Sequence, residues 1–396
     1  MVTLEAEDVH SDDHRWAQKA KHSIPEEIIE EILSILPVKS ILRFKSVCKP
    51  WLSLISNSSF TKLYSAAGHR TTALFFSAFD ASTNTRYFFS GARDGGSVVN
   101  LIKLTTPHLV SLSEHLNGLV CFTTRYIAFS EIYAYVFNPS THKFFKLPHR
   151  VSFRNYGYEK NDMFYLFGFD ESSNDHKVLF IDFGLTKIKP TTIEVMIFSM
   201  ATYSWRKINV DLPPGMSDIR WCSATGASVC VNSTIHMMLQ CPLQILAFDL
   251  RKEEFSIVNV PHDAMVQTMY VMIPHARFIK INGLLGVASI DFMEGLYEVD
   301  IWMLQAYENQ VWVRETITVP LCKSHGHYPC DSINMDEIIF TPKLLYENLM
   351  NVTIYNMKTK CFNSVQLTLG HRFLCPNSLT VERINCYVES LIPLQN

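Results

Sequence analysis

The chain has 396 residues, of which 47% are hydrophobic and 18% charged, and its formal net charge is −3. This length and composition favour a large apolar core in two domains, or a small module beside a large one, and exclude global disorder. A nucleic-acid partner is not expected, because binding phosphate calls for a basic excess that the chain lacks. A membrane partner is not expected either, because no apolar run approaches the roughly 18 residues of a membrane span.

The first segment, residues 1–22, is polar and acidic, and we predict that it is disordered. It lacks the apolar stretch of a secretory signal, so the expected location is the cytosol, the nucleus or both. The ten cysteines are scattered without a C-x-x-C pair. In a reducing compartment such cysteines are expected to be small buried hydrophobes rather than zinc ligands. We therefore predict no metal site and no cofactor.

A helical pattern begins at residue 23. Ser23 and Glu26 have the spacing of a capping box, and Pro25 falls in the first turn, where its missing N–H costs nothing. Apolar residues then recur at helical spacing as far as Leu36, and Pro37 ends the helix. The apolar residues of this first helix are Ile28, Ile29, Ile32, Leu33 and Leu36.

Two further short helices are predicted, one over 38–44 and one that begins near Cys48 with Pro50 in its first turn. Three short helices cannot bury all their apolar residues against one another, because about forty residues form a marginal core. Two interpretations follow. The helices are either a cap packed on the rest of the chain or a docking surface for another protein's helices.

The sequence from Ile24 to Ile55 closely resembles the F-box, with isoleucine at position 24 where that family usually has leucine. The segments that carry the resemblance are IPEE (24–27), ILSILPVKS (32–40), LRF (42–44), VCK (47–49) and Trp51. The resemblance implies a domain over 23–60 that binds a SKP-family adaptor, which joins it to a cullin. The adaptor contacts that it implies are Ile24, Pro25, Ile28, Leu36, Pro37, Val38, Leu42, Val47, Cys48 and Trp51.

Residues 61–71 are predicted to connect this domain to the rest of the chain. Phe60, Leu63 and Tyr64 have the i, i+3, i+4 spacing of one helix side. We therefore expect a short connecting helix whose apolar side packs against the following domain.

From residue 72 to 396 the pattern is that of an all-β domain, with short runs of Val, Ile, Phe and Tyr between turn residues. A strand, a polar turn and an aromatic strand recur about every 50 to 60 residues, which is kelch-like in scale and predicts about six propeller blades. The fold class is therefore α+β, with three helices followed by a β-propeller-like domain. A β-sandwich or an irregular stack of hairpins is the alternative. The lead aromatic residues are Phe137, Phe198, Phe248, Trp302 and Tyr355.

The turns of these repeats contain Asn138, Asp249 and Asn356, whose side chains are expected to bond to their own backbone. The double glycine of kelch blades is absent. The sequence NGLV (117–120) and the segment 137–148 instead resemble the F-box-associated domain of plant F-box proteins. This resemblance implies a plant protein whose β domain binds a protein substrate that the sequence does not identify.

The sequence segments that could suggest an enzyme each have a structural interpretation. The G-x-S-x-G elbow of hydrolases is absent, and the glycine-rich segment 91–96 lacks the Lys-Ser/Thr of a phosphate loop, so we predict a hairpin turn. The polar segment 170–176 is predicted to be a hairpin loop, and His236 to be a core residue. Two functions remain open: the non-catalytic substrate receptor of an SCF-type ubiquitin ligase, or a propeller enzyme or sugar-binding protein whose helices are merely a cap.

Overall fold

The computed structural model describes residues 24–66, 72–105, 109–126, 131–149, 162–183, 193–214, 228–240, 243–264, 277–291, 297–320, 328–333, 336–341, 348–370 and 379–395. The segment 1–22, predicted to be disordered, lies outside these residues. The helices come first and form what we call the helical module, residues 24–66. They are α1 (Glu26–Ser34), α2 (Val38–Phe44), α3 (Lys49–Ser56) and α4 (Ser58–Ala66).

Prolines set the helix boundaries. The N-cap of α1 is Pro25 and no side chain caps the helix, so Glu26 occupies N1 and the predicted capping box with Glu26 at N3 is wrong. Ser23 lies outside the described residues. Pro37 is the N-cap of α2, and α1 has already ended at Ser34. Pro50 lies in the first turn of α3, as predicted, where it removes no intrahelical hydrogen bond.

The remaining described chain is all β. In chain order its strands are β1 (Thr72–Asp80), β2 (Thr85–Ala92), β3 (Gly96–Ser97), β4 (Val99–Leu104), β5 (Leu109–Leu116), β6 (Leu119–Tyr126), β7 (Glu131–Asn138), β8 (Lys143–Lys146), β9 (Asp162–Asp170), β10 (Asp175–Phe183), β11 (Ile193–Ser199), β12 (Ser204–Ile208), β13 (Ser228–Val231), β14 (Thr234–Gln240), β15 (Leu243–Asp249), β16 (Glu254–Asn259), β17 (Arg277–Ile281), β18 (Leu284–Asp291), β19 (Tyr297–Ala306), β20 (Val311–Val319), β21 (Tyr328–Ile333), β22 (Glu337–Thr341), β23 (Leu349–Asn356), β24 (Cys361–Thr368) and β25 (Leu379–Val388).

These strands form six sheets, which are the blades of a β-propeller. Blade 1 has the order β25-β1-β2-β4, and blades 2 to 5 are β5–β8, β9–β12, β13–β16 and β17–β20. Blade 6 is β21–β24, with β3 added in parallel to β24. The innermost strands β25, β5, β9, β13, β17 and β21 contact one another in that order, and β21 contacts β25 again. The ring is closed, so the predicted propeller is confirmed.

The repeat seen in the sequence is the third and fourth strand of blades 2 to 6. Opposed aromatic side chains join these strands, such as Phe137 with Phe144 and Phe198 with Trp205. The five aromatic repeats leave the β-rich stretch from about 72 to 125 as the expected sixth blade, but the structure divides this stretch between blades 1 and 2. Strands β5 and β6 belong to blade 2, and β25 supplies the innermost strand of blade 1.

The polar turns of the repeats are built as predicted. Asn138 Oδ1 accepts from the N–H of Ser140 at 2.9 Å, and the equivalent carboxylate or amide oxygens of Asp249 and Asn356 also accept from the backbone two residues ahead. The segment 91–96 is not a simple hairpin turn, because Gly96 and Ser97 pair with β24 of the neighbouring blade. The segment 170–176 does form the predicted hairpin between β9 and β10.

Connections alternate between the two faces of the propeller. We call the helix face the one where the first strand of a blade turns into the second and the third into the fourth. The opposite face is the far face. The turn 81–84 belongs to the far face and is described, whereas most of the chain between the other far-face strand ends lies outside the described residues.

Candidate functional site

Helix α1 has two apolar sides. Ile29 and Leu33 point into the core of the helical module, where Leu33 is fully buried. Four isoleucines follow the other side at spacings of four, four and three residues, two within α1, one before its start and one at its C-cap. Each is exposed over roughly half of its surface. We call these four residues the α1 stripe: Ile24, Ile28, Ile32 and Ile35.

The adaptor contacts implied by the sequence differ in accessibility. Pro25, Pro37 and Cys48 are exposed, like the predicted members of the α1 stripe, and the exposed fraction of Val47 is 60%. Leu36, Leu42 and Trp51 are half-buried and pack against the module core. All of these have surface available to a partner.

Val38 is the exception among the predicted adaptor contacts, because its side chain has no surface available to a partner. Its exposed fraction is 0%, because the side chain lies in the core of the helical module with Leu33 and Ile41. It follows Pro37 as the first residue of α2, where the side chain turns inward. Its role is to hold α2 against α1.

Three exposed apolar residues of this region were missing from the prediction. Ile32 and Ile35 continue the α1 stripe, and Leu52 is exposed on α3. Ile32 could have been identified from the sequence, since it lies four residues after Ile28 on one helix side.

The connection between α2 and α3 presents Val47 and Cys48 in a tight turn. Val47 donates its N–H to Phe44 O at 3.1 Å. The Phe44 and Trp51 rings meet edge to face, with centroids 5.2 Å apart. This contact fixes the two helices on either side of the turn. Cys48 and Cys361 are exposed thiols, so the expectation that the cysteines are buried is wrong for these two.

The helical module is joined to the propeller by residues 389–395, which follow β25 and which we call the closing segment. Glu389 Oε2 accepts from the N–H of Val38 at 2.9 Å, at the first residue of α2. Leu391 is buried in the module core, beside Leu33 and Tyr64. The closing segment is therefore part of the module's own core.

The same segment is clamped onto the helix face of the propeller. The Asn138 side-chain amide donates to Ser390 O at 3.1 Å and to Ile392 O at 2.9 Å. Ser390 in turn donates its N–H to Ser140 Oγ at 2.9 Å. Gly118 has φ +97°, and a Cβ at this position would lie 2.0 Å from Ser390 Cβ, so the turn needs glycine. These contacts fix the segment in blade 2.

The connecting helix α4 packs differently from the prediction. Phe60 and Tyr64 are buried in the module core with Leu391, whereas Leu63 is exposed. Helix α4 therefore completes the helical module, and the closing segment rather than Leu63 provides the described contact with the β domain. Residues 67–71 of the predicted linker lie outside the described residues.

Charged side chains gather at the propeller axis, near the helix-face ends of the innermost strands. Glu114 on β5 is buried and accepts from the N–H of Cys230 on β13. Lys280 on β17 donates to the carbonyl oxygen of the same Cys230 at 3.2 Å. Asp331 on β21 accepts from the N–H of Cys386 on β25 at 2.8 Å. These bonds tie together strands of five different blades.

Burial shifts the pKa values of several groups. It raises the pKa of Glu114 to about 7 and that of Asp331 to about 6, although Lys280 and Arg383 oppose both shifts. Burial lowers the pKa of His176 and of His236 to about 4. His236 is fully buried and contacts the Val229 carbonyl, in agreement with its predicted core position.

These two pairs of shifts have opposite effects on stability. Below about pH 6.5 the histidines of the unfolded chain bind protons, whereas in the folded chain they stay neutral down to about pH 4. The contribution of the two histidines to the free energy of unfolding therefore falls as the pH drops toward 4. The carboxyl groups have folded pKa values above their unfolded ones, so their contribution is largest at low pH and is lost as the pH rises through about 6 to 7. Between about pH 4.5 and 6.5 the two effects offset each other.

Within the described ranges, no group of three or more His, Cys, Asp or Glu side chains is arranged to hold a metal ion. Among the helices that the structure describes, none is long and apolar enough to cross a membrane.

Comparison with known proteins agrees with this architecture. The model of the F-box domain matches residues 22–63, and the model of the F-box associated beta propeller domain matches residues 63–381. F-box protein At1g30790 of Arabidopsis thaliana is 26% identical over 376 residues, with 87% of this chain and 89% of the relative covered. F-box protein At5g65850 of the same plant is 26% identical over 370 residues, with 87% and 84% covered.

Among solved structures, TolB from Acinetobacter baumannii is 10% identical with a TM-score of 0.48, and 83% of this chain and 70% of that one are covered. The family model, by contrast, spans most of the chain and coincides with the six blades. The chain therefore belongs to the family of F-box proteins in which an F-box associated β-propeller domain follows the F-box, the plant type of F-box protein.

Proposed function

We propose that this chain is the substrate-recognition subunit of an SCF-type ubiquitin ligase. In this proposal the helical module binds a SKP-family adaptor, the adaptor joins it to a cullin, and the propeller holds a protein substrate. The chain itself carries out no chemistry. It raises the effective concentration of a substrate lysine near the ubiquitin-conjugating enzyme, which is a matter of proximity rather than catalysis.

The observation that carries the proposal is the α1 stripe. The opposite side of α1 already fills the module core, so the four isoleucines are surplus to the fold of this chain. Complete burial of an isoleucine side chain contributes about 1.5 to 3 kcal/mol, and these side chains are about half exposed. Covering the stripe with another protein's helices would therefore contribute several kcal/mol to binding.

The alternative function treats the helices as a cap on a propeller enzyme or sugar-binding protein. A cap needs one apolar side, and the side formed by Leu33 and Ile41 meets that need. The cap interpretation does not explain why the α1 stripe is apolar and exposed. The receptor proposal accounts for both sides of the helix.

Substrate binding is proposed at the far face. The helical module and the closing segment occupy the helix face, beside the turn 139–142 and Tyr203. A substrate on the opposite face would not compete with the adaptor. Loops between strand ends also tolerate sequence change without disturbing the β-propeller fold. Such loops are therefore suited to binding one particular substrate. The proposed location is the cytosol, the nucleus or both.

The test is co-purification with a SKP-family adaptor. Ile32→Asp places a charge in the middle of the α1 stripe and should weaken adaptor binding at least tenfold, as expected for an anchor residue worth about 2 kcal/mol or more. Leu63→Asp is the matched control, because Leu63 is also an exposed apolar residue of the module but lies on α4. Equal adaptor recovery by folded Ile32→Asp and wild-type protein would refute the proposal.

A further inference from the structure

A cavity of about 300 Å³ opens at the propeller axis on the helix face, and we call it the axial pocket. Its wall consists of residues from four innermost strands and from the turn after β17. They are Glu114 and His115 on β5, Lys280 on β17, Asn282 and Gly283 in the turn, Asp331 and Ser332 on β21, and Cys386 on β25. Pockets for small molecules range from about 300 to 1,000 Å³, so the axial pocket suits a small ligand. Nothing in the proposed receptor function uses it.

The charged groups of the axial pocket are held in place before any ligand arrives. The Glu114 carboxylate and the Lys280 ammonium group are fixed to the N–H and the carbonyl of one residue, Cys230. Asp331 accepts from two backbone N–H groups, those of Ser332 at 2.9 Å and Cys386 at 2.8 Å. Preorganised opposite charges of this kind lower the cost of ordering a site on binding.

The positive charges of Lys280 and Arg383 do not fully compensate the negative charges of the two pocket carboxylates, Glu114 and Asp331. Lys280 from β17 and Arg383 from β25 both lower the pKa values of Glu114 and Asp331, and the Asp331 carboxylate raises that of Glu114. Despite the two cations, burial still raises the pKa of both carboxyl groups. Arg383 is also engaged elsewhere, since it donates to Leu112 O at 3.1 Å and to Asn385 Oδ1 at 3.1 Å. An additional cationic group between Glu114 and Asp331 would therefore be favoured.

The pocket wall narrows the class of ligand. A phosphate or other pure anion would face two carboxylates. A sugar usually stacks on an aromatic face. The described wall residues include no Phe, Tyr or Trp, and the one aromatic ring among them, the His115 imidazole, already packs against Tyr387 with ring centroids 5.6 Å apart. A metal ion is disfavoured by Lys280, which lies in the same wall. A small molecule with both an ammonium and a carboxylate group matches charges of both signs.

We propose that the axial pocket binds a small zwitterion of the free amino-acid class. The ligand's ammonium group would lie between Glu114 and Asp331, and its carboxylate would face Lys280. The strands that supply wall residues are β5, β17, β21 and β25. Binding would therefore link blades 1, 2, 5 and 6 and stabilise the closed ring.

The experiment is thermal unfolding and calorimetric titration of the full chain with a panel of free amino acids. Propionate and ethylamine at equal concentrations serve as ligands with one charge each. We expect at least one amino acid to raise Tm in a saturable manner, and propionate and ethylamine to have much smaller effects. No response to any amino acid would overturn the proposal, as would an equal response to ethylamine alone.

Variants locate the site. Glu114→Gln and Lys280→Met should each weaken binding at least tenfold, and they act on opposite ends of the ligand. Asp300→Asn is the matched control, since Asp300 is a buried carboxylate paired with Arg314 on the third and fourth strands of blade 5. It should keep the ligand response at a lower starting Tm. Unchanged binding by both axial variants, or equal loss in the control, would refute the assignment.

Proton release provides an independent readout. The ligand's ammonium group favours the ionised form of Glu114, whose pKa is about 7 before binding. Titrations at pH 7 in two buffers of different ionisation enthalpy should therefore show release of protons. Proton uptake, or heats that do not depend on the buffer, would contradict the predicted position of the ammonium group.

Discussion

Replacing Leu391 with alanine tests whether the closing segment sets the position of the helical module. Leu391 is 7% exposed, and the other buried residues described in its cluster all belong to the helical module. A buried Leu→Ala change costs about 2 to 5 kcal/mol. The hydrogen bond from Val38 to Glu389 contributes roughly 1 to 3 kcal/mol. The leucine is therefore the larger part of the described attachment, and its loss should shift the docked population by a factor of about 30 or more.

The assay is the distribution of distances between two fluorophores, one at Lys62 on α4 and one at Glu254 on β16. Both positions are exposed, so labels should not disturb either core. The wild-type protein should give one narrow distribution. Leu391→Ala should give a broad one, while adaptor affinity stays within about twofold because the α1 stripe is untouched.

Leu394→Ala is the matched control. Leu394 lies three residues further along the same segment and is 8% exposed, but it packs into the propeller core beside Leu147 and Phe198. Its truncation should lower the unfolding temperature of the propeller and leave the distance distribution narrow. Equal broadening in both variants, or none in Leu391→Ala, would show that something other than the Leu391 contact positions the module.

Two further substitutions test the hydrogen bonds from Asn138 to the closing segment and the pKa shifts of the buried ionisable groups. Asn138→Ala removes two hydrogen bonds to the closing segment and should lower the free energy of unfolding by about 1 to 3 kcal/mol, measured by urea denaturation, with Ser199→Ala in the corresponding turn of blade 3 for comparison. Glu114→Gln removes one of the groups that offset His176 and His236. The variant's stability should therefore rise by about 2 to 3 kcal/mol more than that of the wild type between pH 4.5 and 6.5, and a parallel pH profile would contradict the assigned pKa shift.

Local patterns were sufficient to predict the helices and the blades. Helix α2 spans the predicted residues because Pro37 fixes its start and apolar residues recur at helical spacing as far as Phe44. The aromatic repeat was visible because the third and fourth strands are neighbours in sequence, as in the pairing of Phe248 with Phe255. A contact between adjacent strands leaves its signature within about ten residues.

Contacts between distant segments left no such signature. Strand β25, the last strand that the structure describes, pairs with the first strand β1, and Gly96 pairs in parallel with Leu367. Leu391 joins the module core from the other end of the described chain. The axial pocket was missed for the same reason, since Glu114, Lys280 and Asp331 lie on three strands that are far apart in the sequence and are brought together only by ring closure.

Ring closure and the position of the helical module are coupled through the order of the chain. Strand β25 must pair with β1 before the propeller is closed, and Leu391 follows the end of that strand by three residues. The closing segment can reach the helix face and complete the module core only once β25 is in place. We therefore expect the helices to gain a fixed position late in folding, after the propeller has formed. A chain whose ring is open would keep its α1 stripe but would not hold it at a defined distance from the far face. In the proposed receptor, this coupling restricts productive ubiquitin transfer to molecules whose substrate-binding domain is complete.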